Sequence, residues 1–148
     1  MREILFRGKR LDNGEFVYGN LFVSDKDGGT YILAWSRTVT IDWEVVPSTV
    51  GQFTGLLDKN GKRIFEGDVV KYTFDMPDNP NATENGKKVI IGRVFFSDWR
   101  ASFSVTAGRN CSRNLNNDLF NYARNGNRVE VIGTIHDNPE FLEVSKND

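Results

Sequence analysis

The sequence predicts a mainly β protein with minor α content, arranged as an N-terminal β-meander lobe packed on a C-terminal barrel-like lobe with one or two short helices. Three observations carry this. Apolar, β-branched and aromatic residues come in short runs separated by Asx-Gly and Gly-Gly turn signals, as at Asp12-Asn13-Gly14 and Asp25-Lys26-Asp27-Gly28-Gly29. Val39, Ile41, Trp43 and Val45 alternate strictly with Thr40, Asp42 and Glu44. Helical spacing shows only at Leu115, Leu119 and Tyr122.

Taken in order, Ile4–Phe6 opens the meander and the Asp12-Asn13-Gly14 turn leads to a strand over Phe16–Val23. A second turn at 25–29 precedes Thr30–Trp35. The alternating 39–45 segment reads as a half-buried strand closed by Pro47. Between Leu57 and Ile64, Asn60-Gly61 is the pair best suited to the positive φ angles of a type I′ hairpin. In Glu66-Gly67-Asp68, Gly67 suits a left-handed conformation that strains any residue with a Cβ, and the Asp68 carboxylate suits amide hydrogens of the same turn. The chain then enters Val69–Phe74.

Residues 75–86 are polar, contain Pro77 and Pro80 and show no periodicity, which predicts a long mobile loop or hairpin tip. The glycosylation triplet Asn81-Ala82-Thr83 within it is loop composition. Strands follow at Val89–Phe96 and Ala101–Thr106, joined near Ser97-Asp98-Trp99-Arg100. A short helix through Leu115, Leu119 and Tyr122, capped by asparagines, ends before Asn125-Gly126-Asn127. Arg128–His136 is the last strand, and Asn138-Pro139-Glu140 opens a final helical turn with Asn138 as N-cap and Pro139 at its first position. The lobes divide at 48/49: residues 1–48 form the meander, 49–142 the barrel-like lobe with a variable insert at 75–86, and 143–148 a tail. A length of 148 residues suits a single domain, and 39% hydrophobic content supplies its core.

Nineteen basic and twenty acidic residues give a net charge of −1, which excludes a global attraction to nucleic acid or anionic membrane. The distribution is uneven: residues 87–128 hold eight Lys or Arg against Asp98 and Asp118, so the segment carries +6 and the remainder −7. A single cysteine, Cys111, fits a reducing cytoplasm. The apolar run at Ile4–Phe6 is too short for a signal peptide, and no run approaches a membrane span. The expectation is a cytoplasmic protein without membrane partners.

Three ordered blocks carry a resemblance: Arg2-Glu3-Ile4-Leu5-Phe6-Arg7; Val50–Leu56 with Asp58-Lys59-Asn60-Gly61 and Ile64–Val70; and Val131-Ile132-Gly133-Thr134-Ile135-His136-Asp137-Asn138-Pro139-Glu140-Phe141-Leu142. They resemble the YopX family of phage and prophage proteins over nearly the whole chain. The resemblance implies a largely β protein from a phage or mobile element, acting in the cytoplasm of a bacterial host, with no molecular function to carry over. Its signature residues here are Gly51, Gly55, Asn60, Gly61, Glu66, Gly67, Asp68, Gly133, Asn138 and Pro139. Residues 75–128 depart from it. The Glu66–Val70 step also looks like the Gly-Asp turn entering the first long strand of SH3-like barrels, so the second lobe is expected to be of that kind. Fold alone does not choose between peptide, RNA or DNA binding and assembly.

No set of residues assembles into an active site. His136 needs a nucleophile and an orienting partner within hydrogen-bond reach, and its neighbour Asp137 would face the other side of a strand. Cys111, flanked by Arg109 and Arg113, lacks a nearby histidine. Glu66, Asp68 and Asp137 offer oxygen ligands without calcium-site spacing, and turn roles explain them. No P-loop or dinucleotide glycine pattern occurs. The expectation is a non-enzymatic protein with no cofactor and no metal.

Two binding classes remain. Arg93, Arg100, Arg109, Arg113, Arg124 and Arg128 are interleaved with Phe95, Phe96, Trp99, Phe103 and Tyr122, the combination single-stranded DNA or RNA binders use for phosphate contact and base stacking, with Trp99 and Arg100 at a turn. Strand aromatics are equally core residues, and scattered arginines equally a solvated face. The favoured class is a protein-interaction or self-assembly module, a homo-oligomer or a binder of host or phage protein, in which an apolar strand such as Val89-Ile90-Ile91 adds to a partner's sheet.

Overall fold

A computed structural model describes residues 2–76, 78–108, 116–124 and 126–143. The protein is mainly β, with two antiparallel sheets and two short helices, and divides into compact units at Gly55/Leu56. That division lies inside a strand, because the first residues of that strand pair backwards to the N-terminal strand and its last residues form the next hairpin.

In the first unit, β1 (Phe6–Lys9), β2 (Phe16–Val23), β3 (Thr30–Trp35) and β4 (Thr40–Glu44) form the expected meander, and β5 (Gly51–Leu57) follows a 3₁₀ turn at Pro47–Thr49. The strand order is β4-β3-β2-β1-β5. β1 starts two residues later than Ile4 because its partners begin at Phe6, opposite Gly19 on one side and Gln52 on the other. The turn before β2 uses Gly14 at φ +71°. The meander curls back on itself: Arg10 bridges Val45, the Leu11 amide donates to the Glu44 carbonyl at 3.0 Å, and the Val46 amide donates to the Lys9 carbonyl at 2.8 Å. Gly8 permits this closeness, since a Cβ there would stand 3.0 Å from the Val45 side chain. The predicted half-buried strand 39–45 is therefore buried only at its curled end. Val45 is 1% exposed, whereas Ile41 and Val39, nearer the β3–β4 turn, are 44% and 58% exposed.

In the second unit, β6 (Arg63–Phe65), β7 (Asp68–Tyr72), β8 (Ile90–Ser97), β9 (Ser102–Thr106), β10 (Asn116–Asp118) and β11 (Glu130–Thr134) are joined by α1 (Glu84–Lys87) and α2 (Leu119–Arg124). The antiparallel order is β10-β9-β8-β7-β11. This order is open among the described pairings, so the lobe expected as a small barrel is a five-stranded sheet with β10 and β11 at its ends. Leu56, Ile64, Val70, Tyr72, Val94, Val105, Leu119, Tyr122, Ala123 and Val129 form its core, where each large side chain contributes about 1.5–3 kcal/mol of burial.

The turns differ from expectation in instructive ways. At 58–61 only Gly61 has positive φ, +82°, so the loop is not type I′. Asp58 accounts for this: its carboxylate accepts the Asn60 and Lys62 amides, both at 2.9 Å, and fixes a three-residue loop with a left-handed glycine. Gly67 sits at φ +88°, and the Asp68 carboxylate accepts the Phe65 amide at 2.8 Å, as its sequence position implied. The 75–86 insert carries α1, capped by Thr83, whose hydroxyl accepts the Gly86 amide at 3.0 Å while Asp75 accepts the Thr83 amide at 2.9 Å. The helix placed at Leu115 begins at Leu119. Asn116–Asp118 pairs with β9 instead, the Asp118 carboxylate takes the Phe120 amide at 3.0 Å, and Leu115 lies outside the described residues. β11 ends at Thr134, so His136 belongs to a turn and not to a strand. Pro139 does open a 3₁₀ turn, Pro139–Leu142, but Asn138 does not cap it through its side chain. Its Oδ1 accepts the Thr134 amide at 3.3 Å and lies where a Cβ on Gly133 would meet it at 2.4 Å.

Candidate binding surfaces

The catalytic candidates do not converge. Asp68 is 1% exposed and turned inward as the brace of its own turn. The His136 and Asp137 amides both donate to the Thr134 hydroxyl, at 3.2 and 2.9 Å, which builds the turn after β11. Among the described residues no three His, Cys, Asp or Glu side chains group as a metal site. Cys111, Arg109 and Arg113 lie outside the described residues.

The basic and aromatic segment is split by the sheet. Trp99 is 93% exposed on the β8–β9 turn beside exposed Arg100, whose amide donates to the Ser97 hydroxyl at 3.3 Å. Ala101 closes that turn at φ +52°, an unusual angle for a residue with a Cβ. Arg128 stands at the other end of the sheet. It donates to the Phe74 carbonyl and, at 2.9 Å, to the Asn121 carbonyl, and its guanidinium lies 5.0 Å from the Tyr122 ring centre. β8 alone, from Ile90 to Ser97, spans about 23 Å at ~3.3 Å per residue, so one end does not reach the other. Arg93 lies over Phe95 at 5.3 Å and Arg124 over Phe120 at 6.0 Å. Phe96 and Phe103 meet edge-on at 5.4 Å, and Tyr122 is core.

Sequence reasoning missed a basic cleft of about 240 Å³ lined by Lys59, Lys71, Thr73, Asn127, Arg128 and Glu130. The Glu130 carboxylate lies 3.2 Å from the Lys71 ammonium and 3.3 Å from that of Lys59. Lys71, and then Lys59, hold its carboxyl below the usual range. Only the β11–β7 register, which sets Glu130 opposite Lys71, reveals the cluster.

The first unit exposes Tyr18, Leu21, Phe22, Val23, Trp35, Val39 and Ile41 on β2, β3 and the β3–β4 hairpin. Leu21, Ile32 and Trp43 stand opposite one another on one face, and Phe22, Tyr31 and Glu44 on the other. Tyr31 donates to Asp27 at 2.6 Å. That bond pushes the phenol up to about 12 and holds the Asp27 carboxyl below its ordinary value. By contrast, Val89-Ile90-Ile91 is not the free edge expected of it: β8 lies between β7 and β9, with Ile90 and Ile91 paired to Tyr72 and Lys71. No helix among the described residues is long and apolar enough to cross a membrane.

The family model of the YopX protein matches residues 5–143. The crystal structure of protein EF1440 from Enterococcus faecalis is similar in fold, with a TM-score of 0.54 and 21% identity over 97% of this chain and 100% of that one. No curated protein matches the chain.

Proposed function

The chain belongs to the YopX family, and from that premise we propose that it is a non-enzymatic protein-interaction and self-assembly module, acting in the bacterial cytoplasm in a phage or mobile-element setting. One observation carries the reading: the exposed apolar and aromatic side chains of β2, β3 and the β3–β4 hairpin, with Trp35 73% exposed, on a sheet whose outer strand is unpaired over part of its length. Concentrated apolar exposure marks association surfaces. The test is the solution mass across a dilution series at low and high salt. A defined oligomer or a captured protein partner that survives high salt supports the reading, because apolar burial is little screened. A monomer that captures neither refutes it.

A second reading rests on Trp99 and Arg100, an exposed aromatic beside a cation on one turn. That pair suits stacking on a single-stranded base next to a phosphate. Fluorescence anisotropy with labelled single-stranded DNA, duplex DNA and RNA decides it, and loss of binding in Arg100→Glu is the supporting result.

A further inference from the structure

We propose that β4 is the contact strand of a two-fold dimer, pairing antiparallel with β4 of a second copy, an inference that rests on the assembly reading above and names its surface. The direction of the backbone groups follows from the β3–β4 ladder. The Ser36 amide donates to the Val39 carbonyl and the Val45 amide to the Thr30 carbonyl, both at 2.9 Å. In the same register Ala34 faces Ile41 and Ile32 faces Trp43. Hydrogen-bonded pairs alternate along an antiparallel ladder, so residues 39, 41, 43 and 45 direct their amides and carbonyls to β3, and residues 40, 42 and 44 direct theirs outward. The outward set is already used at one end: the Glu44 carbonyl accepts from Leu11 and the Val46 amide donates to Lys9. Thr40 and Asp42 remain, exposed and without another backbone pairing among the described residues.

This remaining edge is self-complementary. A two-fold axis through Ile41 sets Thr40 of each copy opposite Asp42 of the other, so two amides and two carbonyls from each chain meet as four hydrogen bonds. Ile41 then faces Ile41 of the second copy and Val39 faces its Trp43, joining the exposed Val39 and Ile41 with the partly buried Trp43 on one face of a continuous sheet. The register also avoids setting Asp42 against Asp42, and it brings the Arg37 turn of each copy toward Glu44 of the other. β4 has no proline, lysine or bulge of the kind that blunts an open edge.

Four chains test this: the native protein, Thr40→Pro, and Ile41→Cys and a control Asp25→Cys, each in a Cys111→Ser background. The proline removes only an outward amide, a change edge strands tolerate. Residues facing each other across a non-hydrogen-bonded pair have Cα atoms about 4.5 Å apart, within disulfide range. The expected results are a dimer for the native chain at about 50 and 500 mM salt, a folded monomer for Thr40→Pro, and a covalent dimer on mild oxidation of Ile41→Cys but not of an Asp25→Cys control in the same background. A native dimer that persists in folded Thr40→Pro, or that cross-links through Ile41→Cys no better than through Asp25→Cys, overturns the β4 contact and leaves the assembly reading standing. Should Thr40→Pro fail to fold, the cross-linking comparison decides alone. A native monomer overturns this contact together with self-assembly and leaves only binding of a different protein.

Discussion

Replacing Asp58 tests how much of the second unit depends on one buried carboxylate. Its side chain is 3% exposed and accepts three backbone amides: Asn60 and Lys62 at 2.9 Å through one oxygen, and Val131 at 3.0 Å through the other. It therefore fixes the β5–β6 loop and ties it to β11, 73 residues along the chain. A hydrogen bond to a charged acceptor contributes about 1.5–3 kcal/mol. In Asp58→Ala the Val131 amide loses that in full, while the Asn60 and Lys62 amides, on an exposed loop, regain water and lose less. The sum is about 3–5 kcal/mol. With a urea slope of about 2 kcal/mol/M, the midpoint falls by about 1.5–2.5 M at unchanged slope. Asp58→Asn keeps one acceptor oxygen. Turned to the loop, it sets its own NH₂ against the Val131 amide, and the loss is about half that of alanine. Urea unfolding followed by far-UV circular dichroism reads both. An alanine variant within about 1 kcal/mol of the native chain, or an asparagine variant as unstable as alanine, refutes the argument.

Gly67→Ala places a Cβ at φ +88° and is expected to cost about 1–2 kcal/mol by the same unfolding assay. The Tyr31 phenol should ionise near pH 12 in ultraviolet titration and fall back toward its ordinary value in Asp27→Asn, with burial, Glu44 and Asp42 still holding it up in part. Because its folded pKa is raised, the Tyr31–Asp27 contribution to stability is present at neutral pH and up to pH 10 and is lost as pH rises from 10 toward 12. Because the Asp27 pKa is lowered, the same contribution is also lost as pH falls below about 3.8. Trp99→Ala removes a side chain 93% exposed, so stability should hold within about 0.5 kcal/mol while a stacked base is lost.

What was legible in the sequence was local. The ends of β2 and β3 followed from composition and flanking glycines, and the left-handed Gly67 with its Asp68 brace followed from two adjacent residues. What was not legible depended on pairing at a distance. The burial gradient along β4 comes from the curl that brings Arg10 to Val45. The start of α2 was misplaced because Asn116–Asp118 is claimed by β9. The 58–61 turn departed from Asn-Gly chemistry because a carboxylate that also reaches Val131 sets its loop. The cleft at Lys59, Lys71 and Glu130 joins residues far apart in the sequence, and only the register of β11 on β7 brings them together.

The salt dependence of nucleic-acid binding separates the sequence view of the arginines from the structural one. Six arginines were candidates, yet Arg93 and Arg124 lie over their own phenylalanines, and Arg128 is bonded to two main-chain carbonyls and stacked on Tyr122. Arg100, beside Trp99, is the described candidate whose side chain has no such engagement. For a single strand, log affinity falls with log salt at a slope of about −0.7 per phosphate contact. Six contacts would weaken binding about 300-fold between about 50 and 200 mM salt, and one contact only about 3-fold. The structure predicts the shallow response, abolished by Arg100→Glu with Trp99→Ala. A steep response that survives this double substitution would show that phosphate is held elsewhere, by Arg109 and Arg113 or in the cleft around Lys59 and Lys71, and would overturn the assignment to the β8–β9 turn.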